Sequence, residues 1–355
     1  MKTCLAATIA LCLLVSVSAG AQSATFQTLP FPQGETWASF SISADGKTVA
    51  ADFGGELFRW TEADGYTDLG PGDQFSTTIG ISADGTTITG SRQGADGLMN
   101  PAIWKQSTGW VDLGHPFNGC SVDGSWGGGW GLNADGTELV GLAWTCPAVG
   151  EAFRWTEKRG MVSMGHPTHG NSRATTISAN GQTIVGFWEY PRQGWRRAVR
   201  WTKGSTKPDL FTGALIAGEA TAVSTDGKQI VGQSWDDVSG YAFYFTDAAG
   251  VISLGTVSHN PSDQSFANGV SDNGVVVGWS GDQFGGGIKA FIWNSKYPRS
   301  HMQYLKEKLK LAGAVIPNSY VLSTALAISA DGSTVVGSWY DTKSFDQGSF
   351  IAHLQ

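Results

Sequence analysis

The stretch Thr221-Ala-Val-Ser-Thr-Asp-Gly-Lys-Gln-Ile-Val-Gly232 occurs in seven variants along the chain. In each variant an alternating apolar run leads into a Ser-x-Asp-Gly type of turn, which two β-branched residues and a small residue follow. The turn glycines lie 39 to 58 residues apart and are Gly46, Gly85, Gly136, Gly181, Gly227, Gly274 and Gly332. A sequence motif repeated at such a period indicates a repeat architecture, so it is the strongest evidence for the fold.

Each repeat contains two further phrases of strand length. The first resembles Ala-Phe-Arg-Trp and occurs at Leu57–Trp60, Ala102–Trp104, Ala152–Trp155, Ala198–Trp201, Ala242–Phe245, Ala290–Trp293 and Ser349–Ala352. The second ends in Leu-Gly or a variant of it and occurs at Gly65–Gly70, Gly109–Gly114, Gly160–Gly165, Gly250–Gly255 and, in degenerate form, Pro208–Phe211. Both are rich in β-branched and aromatic residues and are bounded by turn residues. Four short strands per repeat predict the blade of a β-propeller.

The two ends of the chain predict how the ring closes. The seventh repeat ends at Phe350–Leu354 without a fourth strand, and an additional strand, Phe26–Pro30, precedes the first repeat. Pairing the two segments would remove two exposed sheet edges. We therefore predict an all-β fold, a seven-bladed β-propeller with four-stranded blades that is closed by the N-terminal strand pairing in the last blade.

One segment departs from the repeat. His301–Leu305 follows the third strand of the sixth repeat and is predicted to serve as its outer strand. A short helix is predicted at about 304–312, because Leu305, Leu309 and Ala312 fall on one helical face. We interpret this helix as a cap on the barrel; the alternative is a helix that binds a partner.

The first 21 residues have the pattern of a secretory signal. Lys2 provides the positive charge, Leu5–Val17 is apolar, and Ala19-Gly20-Ala21 matches an A-x-A cleavage site. The chain is therefore predicted to be secreted or periplasmic, with one propeller domain at 22–355. The apolar run is short for a membrane span, and we predict no membrane span elsewhere. Lipidation of Cys12 would require a small residue directly before it. That position is Leu11, so the chain is not predicted to be a lipoprotein.

The composition excludes some classes of protein. The 355 residues include 49 Gly and 15 Trp, and only 15% are charged, with a net charge of -7. A nucleic-acid-binding protein needs a concentrated basic surface. The one basic cluster, Arg192 with Arg196, Arg197 and Arg200, is too local to form such a surface. We expect no nucleic-acid partner, no cofactor and a monomer.

The repeated phrases resemble those of a known group of proteins. Ala-x-x-Ile-Ser-x-Asp-Gly-x-x-Val-Val-Gly, Ala-Phe-Arg-Trp and Gly-x-x-x-Leu-Gly are similar to the phrases of the bacterial extracellular repeat proteins called the HAF family, and the helical segment before Ala327–Gly332 is similar as well. The resemblance covers nearly all of the chain after the signal. It implies export and a repeated β architecture. It implies no particular activity, because these phrases belong to the scaffold.

The lengths of the connections indicate which face of the ring carries function. In a meander, alternate connections emerge at the same end, so the short Asp-Gly and Trp-to-Gly turns share one face. The other connections are long and irregular, and we call their side the long-loop face: Gly114–Trp130, Gly141–Glu151, Gly186–Ala198, Gly278–Ala290 and Gly337–Ser349. Such loops usually carry binding and catalysis.

Two cysteines of the third repeat fall in long loops of this face. Cys120 and Cys146 are the cysteines that remain after the predicted signal. Two cysteines in an exported chain indicate one disulfide. The predicted Cys120–Cys146 bond would stabilise the fold by about 2–4 kcal/mol.

Aromatic residues are concentrated on the long-loop face. Tryptophan follows the Val-Gly phrase in five repeats, at Trp144, Trp188, Trp235, Trp279 and Trp339, and Trp126, Trp130, Trp195, Tyr190 and Tyr241 lie nearby in sequence. Flat aromatic rings stack on sugar C–H faces, and neighbouring carboxylates accept hydrogen bonds from hydroxyl groups. This combination predicts a glycan site. The alternative is that the tryptophans pack against neighbouring blades.

The residues leave the chemistry open between two kinds of enzyme and a binder. A glycoside hydrolase needs two converging carboxylates, and the candidates are Glu189, Asp236, Asp237, Asp282 and Asp341, with Glu35, Glu151 and Glu219 behind them. A polysaccharide lyase needs a His or Tyr base and an Arg that neutralises a uronate. Its candidates are His115, His166, His169, His259, Tyr190, Arg173, Arg192 and Arg196.

The histidines have two other interpretations. The repeated Gly-His-Pro, at Gly114–Pro116 and Gly165–Pro167, can serve only to shape a loop. His166-x-x-His169 with His115 would be the set for a metal, but we predict no metal site because surface histidines are common.

The sequence therefore predicts an exported propeller that binds an extracellular polysaccharide or oligosaccharide on its long-loop face and that either cleaves it, as a hydrolase or lyase, or only binds it. The alternative class is a protein-interaction or adhesion module that uses the same aromatic loops.

Overall fold

The computed structural model describes most of the chain in a series of ranges. They are 23–30, 38–72, 78–95, 97–114, 127–145, 149–168, 170–190, 195–211, 217–235, 240–258, 260–285, 287–297 and 301–354. The predicted signal and both cysteines of the predicted disulfide lie outside them.

The described chain folds into seven antiparallel sheets, each built from one sequence repeat. Blades one to three contain β2 Ala38–Ile42, β3 Thr48–Phe53, β4 Glu56–Thr61, β5 Gly65–Pro71, β6 Thr87–Gln93, β7 Met99–Lys105, β8 Gly109–Asp112, β9 Gly127–Leu132, β10 Glu138–Thr145, β11 Val149–Thr156 and β12 Gly160–Ser163. Blades four and five contain β13 Ser172–Ile177, β14 Thr183–Tyr190, β15 Trp195–Thr202, β16 Asp209–Leu210, β17 Ala217–Val223, β18 Ile230–Trp235, β19 Gly240–Thr246 and β20 Gly250–Gly255. Blades six and seven contain β21 Gln264–Val270, β22 Val275–Gly281, β23 Lys289–Asn294, β24 Gln303–Tyr304, α1 Leu305–Leu311, β25 Tyr320–Ile328, β26 Thr334–Asp341, β27 Gln347–His353 and β1 Thr25–Leu29. The predicted seven-bladed propeller is confirmed.

Blade two departs from the expected four strands. Its sheet has three strands, and its inner segment contributes a single bridge between Ile81 and Ile88. The segment still lies along β6, because the N–H of Thr89 donates to the carbonyl oxygen of Gly80 at 2.9 Å. A side chain at Gly80 would approach the carbonyl oxygen of Trp130 in blade three to 2.7 Å. The neighbouring blade thus presses against this segment so closely that only glycine fits there.

The N-terminal strand closes the ring as predicted. β1 pairs antiparallel with β27, with a register that runs from Thr25 opposite His353 to Leu29 opposite Ser349. The ring of Phe26 lies 5.7 Å from that of Phe350 and 6.4 Å from that of Tyr320. β1 is therefore the outer strand of blade seven.

The predicted helix is also present. α1 spans Leu305–Leu311, and its residues Leu305 and Leu309 are buried between blades six and seven. The outer strand that precedes it is only two residues long, Gln303–Tyr304. The four-residue spacing of the two leucines therefore identified the buried face correctly.

Aromatic residues of the third strands fill the space between blades. The side chains of Phe153, Phe243, Phe291 and Phe350 are fully buried, and each contributes to a core cluster shared with an adjacent blade. The glycine of each Val-Gly phrase leaves room for a bulge in the inner strand. At Gly186 a Cβ atom would lie 1.9 Å from the carbonyl oxygen of Arg173, which explains why a glycine ends the phrase.

The seven turns, five with Asp-Gly and two with Asn-Gly, are joined into a closed ring of hydrogen bonds. The turn of each blade donates a backbone N–H to the turn of the next blade. The donors and acceptors are Ala44 to Ala83, Ala83 to Ala134, Ala134 to Ala179, Asn180 to Thr225, Thr225 to the Asp272 carboxylate, Asp272 to Ala330, and Ala330 to Ala44. At Gly85 a Cβ atom would lie 2.5 Å from Cβ of Thr48 in blade one. This contact explains the glycine in each turn.

The turn aspartates make the stability of the ring dependent on pH. The hydroxyl of Ser82 and the N–H of Thr86 lower the pKa of Asp84, and Thr137 and Asn133 do the same for Asp135, against the effect of burial. At Asp45, Asp226 and Asp331 burial raises the pKa, but hydrogen bonds outweigh it and the pKa is lowered.

We expect the free energy of unfolding to fall as the pH drops below about 4, where a free Asp titrates. A carboxylate with a lowered folded-state pKa stabilises the fold above its unfolded-state pKa, and this contribution is lost as the pH falls through the folded value. Urea unfolding between about pH 5 and pH 2 measures it. Asp84→Asn should flatten the curve and keep the turn, since Asn180 fills the same position in blade four. A constant free energy over this range would contradict the expectation.

Candidate functional site

The long-loop face is the end of the ring where inner strands begin and second strands end. Because each blade is an antiparallel meander, the start of β13 and the end of β14 lie together on this face. The same holds for β17 and β18 in blade five. Residues from different phrases of neighbouring repeats therefore meet there.

Four charged side chains of blades four and five form a connected cluster on this face, which we call the Arg–Glu cluster. Nη2 of Arg173 in β13 lies 2.9 Å from Oε2 of Glu219 in β17. Nη1 of Arg196 in β15 lies 3.4 Å from the same oxygen. Nε of Arg196 also lies 3.5 Å from Oε1 of Glu189 in β14. One arginine thus bridges two carboxylates.

Neighbouring side chains fix the geometry of the Arg–Glu cluster. The guanidinium carbon of Arg173 lies 4.9 Å from the ring of Trp130 and 4.8 Å from that of Phe187. The guanidinium of Arg196 lies 4.3 Å from the same Phe187 ring. Cation–π contacts of this kind hold a guanidinium plane in place.

Asn171 positions the acid at the outer end of the cluster. Its backbone N–H and side-chain amide both donate to Oε2 of Glu189, at 3.1 and 2.7 Å. Its side-chain oxygen accepts the N–H of Gly150 in blade three at 2.7 Å. Asn171 therefore connects blade three to the cluster of blades four and five.

Burial differs across the cluster. The side chains of Arg173 and Glu219 are only 13% and 11% exposed, whereas those of Arg196 and Glu189 are 44% and 25% exposed. Burial lowers the pKa of the Arg173 guanidinium, the charge of Glu219 raises it and that of Arg196 lowers it; an arginine stays charged nonetheless. The inner pair is thus structural, and the outer pair can contact a ligand.

The arrangement suits binding better than acid catalysis. A glycosidase acid stays protonated because its surroundings are apolar or acidic. Glu189 and Glu219 instead lie beside guanidinium groups, at 3.5 and 2.9 Å. The outer pair, Arg196 and Glu189, presents one donor group and one acceptor group side by side.

The predicted tryptophans differ in exposure. Trp339 is only 5% exposed, stacks on Tyr320 at 4.1 Å and donates from Nε1 to the carbonyl oxygen of Ser349. It is a core residue, which agrees with the alternative that the tryptophans pack against neighbouring elements. Trp188 packs with Trp201 and Trp279 stacks on Phe266, and both are half-buried. Trp144 and Trp235 are also half-buried.

Trp195 is the most exposed tryptophan of the described ranges, at 43%. It begins β15 and pairs across the hairpin with Tyr190, and the next residue is Arg196. The guanidinium of Arg197 lies 5.7 Å from the Tyr190 ring. Trp195 therefore shares one face of the hairpin with Tyr190, whereas Arg196, the next residue of the strand, points to the other face. Sequence reasoning gave Trp195 only a secondary place.

The other predicted catalytic residues do not join this cluster in the described chain. The N–H of Lys343 lowers the pKa of Asp341 against the effect of burial, and the same bond caps a turn at 2.8 Å. His166 is exposed, with Nδ1 at 2.9 Å from the carbonyl oxygen of Pro167. Asp236, Asp237 and His169 lie outside the described residues, and so do Cys120 and Cys146.

No three His, Cys, Asp or Glu side chains converge as a metal site within the ranges that the structure describes. The set His115, His166 and His169 cannot be compared with this result, because two of its members lie outside those ranges.

A cavity of about 510 Å³ lies on the opposite face, between blades two and three. Its lining includes Lys105, Asp135, Trp155 and Glu157. No sequence argument pointed to it, since its residues belong to the short turns.

The pairing of Arg173 with Glu219 has a signal in the sequence that we did not use. Each residue precedes the turn glycine of its own repeat by eight positions (181 − 173 and 227 − 219). The other repeats have Ala38, Thr77, Gly128, Phe266 and Thr324 at this position. Two opposite charges at equivalent positions of consecutive blades therefore stand out once the repeats are aligned on their turns.

Comparison with known proteins supports the fold and no more. No family model matches the chain, and no curated protein matches it. Among solved structures, the oligogalacturonate lyase of Vibrio parahaemolyticus is similar with a TM-score of 0.55 and 14% identity, over 94% of this chain and 98% of that one. The β-propeller domain of the Trilobed protease of Pyrococcus furiosus is similar with a TM-score of 0.53 and 12% identity, over 93% and 95%.

A chain of the mitotic checkpoint complex is similar to the same degree, with a TM-score of 0.53 and 12% identity, over 99% of this chain and 97% of that one. These proteins share the propeller and differ in what their names describe. The fold therefore permits an enzyme or an interaction module.

Among the described residues no helix is long and apolar enough to cross a membrane.

Proposed function

We propose that this protein binds a carbohydrate polymer on its long-loop face, beside the Arg–Glu cluster of blades four and five. The observation that carries the proposal is the exposed end of the β14–β15 hairpin, where Trp195 is 43% exposed on one face and the Arg196–Glu189 pair is 44% and 25% exposed on the other. An aromatic face beside paired hydrogen-bonding groups is the usual construction of a sugar subsite.

The charges favour an acidic polymer. Within the hairpin of β14 and β15, Arg196 and Arg197 accompany Glu189, and the buried Arg173 and Glu219 neutralise each other. Arg196, Arg197 and Glu189 together carry a formal charge of +1. A uronate carboxylate would complement it, because guanidinium groups bind carboxylates with two parallel hydrogen bonds.

Binding without cleavage is the proposed activity. Both cluster carboxylates are engaged by arginines, and Asp341 caps a turn. The hydrolase and lyase alternatives rest on Asp236, Asp237 and His169. The binding experiment therefore includes product analysis.

Trp195→Ala and Arg196→Ala are each expected to weaken binding of polygalacturonate about tenfold, because each removes one of the two exposed contacts of the site. Titration followed by tryptophan fluorescence or calorimetry measures the affinity. Arg196→Ala should affect a neutral β-glucan much less. Tyr66→Ala, which removes an aromatic residue that is 49% exposed on blade one, is the matched control.

Unchanged affinity in both variants would place the site elsewhere, and absence of binding to a broad set of glycans would overturn the proposal. An unsaturated product that absorbs in the ultraviolet would show that the protein is a lyase.

We also propose that the chain is exported and carries the Cys120–Cys146 disulfide. The signal pattern of Met1–Ala21 supports export. The intact mass of protein recovered outside the cytoplasm tests both points, since it reports the cleavage position and the two hydrogens that a disulfide lacks.

A further inference from the structure

Four large apolar side chains of the described chain are almost fully exposed. They are Phe284 at 87%, Leu311 at 87%, Val315 at 88% and Phe345 at 85%, and we call them the apolar tips. The next most exposed large apolar side chain of the described ranges is Tyr297 at 67%. Single exposed apolar side chains are common on protein surfaces, so what distinguishes these four is that they all belong to two adjacent blades.

All four apolar tips belong to the long-loop face of blades six and seven. Phe284 lies in the connection from β22 to β23, and Phe345 lies in the corresponding connection from β26 to β27. Leu311 and Val315 lie at the end of α1 and in the segment that leads back to β25. The N–H of Thr342 donates to the carbonyl oxygen of Ser319 at 2.9 Å. This bond joins the Phe345 loop to the segment that follows α1.

The loops that carry the two phenylalanines are internally braced. The carboxylate of Asp282 accepts the N–H groups of Phe284 and Gly285 at 3.0 and 2.7 Å. In the other loop the carbonyl oxygen of Asp341 accepts the N–H of Phe345 at 2.9 Å. Ordered turns therefore hold both phenylalanines in exposed positions, where their side chains do not pack against the blades.

Phe345 also has an unusual backbone conformation. It is the one non-glycine residue of the described chain with a positive φ, at 64°. This conformation is unfavourable for a bulky residue, and glycine or asparagine would fit better. An exposed phenylalanine in a strained position contributes nothing to the core, so its presence points to a role outside the fold.

Positive charges surround the apolar tips. Lys289, Lys308, Lys310 and Lys343 are exposed on the same segments, whereas Glu307 and Asp346 are the exposed acids there. The chain as a whole carries a net charge of -7. Lys306, Asp282 and Asp341 of the same segments are half-buried, so five lysines and four acids leave a formal charge of +1 at this rim.

The N-terminal end of the described chain is at the same rim. The N–H of Ala24 donates to the carbonyl oxygen of Ala312 at 2.9 Å, and Ser23 lies beside Gly313. The apolar run Leu5–Val17 precedes this point by only a few residues.

We propose that the apolar tips and their lysines form a docking surface for an anionic lipid bilayer. Apolar side chains of separate loops enter the interfacial region, and the lysines contact lipid phosphates. A protein pocket would require one contiguous apolar patch with a desolvated centre. Four separate apolar side chains on segments that also carry lysines are better suited to a lipid bilayer, which can adapt its shape to each of them.

The experiment uses the chain from Gln22 onward, which contains every described residue, and vesicles of phosphatidylcholine with or without phosphatidylglycerol. Co-sedimentation should show binding that increases with the phosphatidylglycerol fraction. The variant Phe284→Ser, Leu311→Ser, Val315→Ser, Phe345→Ser should lower the partition coefficient at least about tenfold. Tyr297→Ser, on the opposite face, should leave it unchanged.

A second variant separates binding from folding. Phe345→Gly removes one apolar tip and relieves the positive φ, so it should bind vesicles about threefold more weakly while its thermal midpoint stays equal or rises. Binding of polygalacturonate should persist in all of these variants, which keeps this test distinct from that of the carbohydrate site. Failure of the wild type to bind vesicles, equal binding by the four-residue variant, or a dimer that this variant dissociates would overturn the proposal.

Discussion

Deletion of residues 23–29 should open the ring and lower the free energy of unfolding by about 5 kcal/mol or more. The deletion removes the buried Ala24 and Leu29, the ring contacts of Phe26 with Phe350 and Tyr320, and a five-residue ladder with β27. A buried large side chain contributes about 1.5–3 kcal/mol, and whole domains are stable by only 5–15 kcal/mol. The loss is therefore a large share of the total.

Chemical unfolding and light scattering measure the two consequences of this deletion, because the bare edge of β27 should also promote self-association. Gln27→Ala in the same strand is the control; its side chain is exposed, so its effect should stay within about 0.5 kcal/mol. A synthetic peptide of residues 23–30 should restore stability by adding the strand in trans. An unfolding midpoint equal to that of the wild type would show that β1 does not close the ring.

Glu219→Ala should destabilise the protein by about 3 kcal/mol, because it leaves the charge of Arg173 buried without its 2.9 Å partner. Replacing both members of the pair, as in Arg173→Met with Glu219→Leu, should return the stability to within about 1 kcal/mol of the wild type. Urea unfolding is the appropriate measurement, since guanidinium salts screen ion pairs.

Asp209→Ala is the matched control for that prediction. Its carboxylate pairs with Arg200 at 3.6 Å, but its side chain is 63% exposed, so the loss should be below about 0.5 kcal/mol. Equal effects of Glu219→Ala and Asp209→Ala would mean that the Arg173–Glu219 pair is solvated and that the Arg–Glu cluster is not preorganised.

The sequence predicted the ring, the strand that closes it and the helix, because these depend on local patterns that recur in every repeat. These local patterns could not predict that the inner segment of blade two forms a single bridge instead of a strand. It depends on the close approach of Gly80 to the backbone of blade three, which is a contact between repeats.

The candidate site was predictable only in part. Arg173, Arg196 and Glu189 were identified singly from their loops, but their connection runs through Glu219, and residue 173 and residue 219 lie in different blades. Burial of Trp339 was hidden although its stacking partner Tyr320 belongs to the same blade, because its core cluster also contains Leu305 and Leu309 of α1. Patterns within one repeat cannot indicate which neighbouring side chains will cover a tryptophan.

The pairing of Thr25 with His353 has a consequence for biosynthesis. The first strand to leave the ribosome must wait for a partner made 328 positions later (353 − 25), which takes roughly 16 to 65 seconds at bacterial and eukaryotic elongation rates. The nascent polypeptide cannot complete its fold during that time. An unfinished chain of this kind can still be threaded through a channel, which is the state that the export proposed above requires.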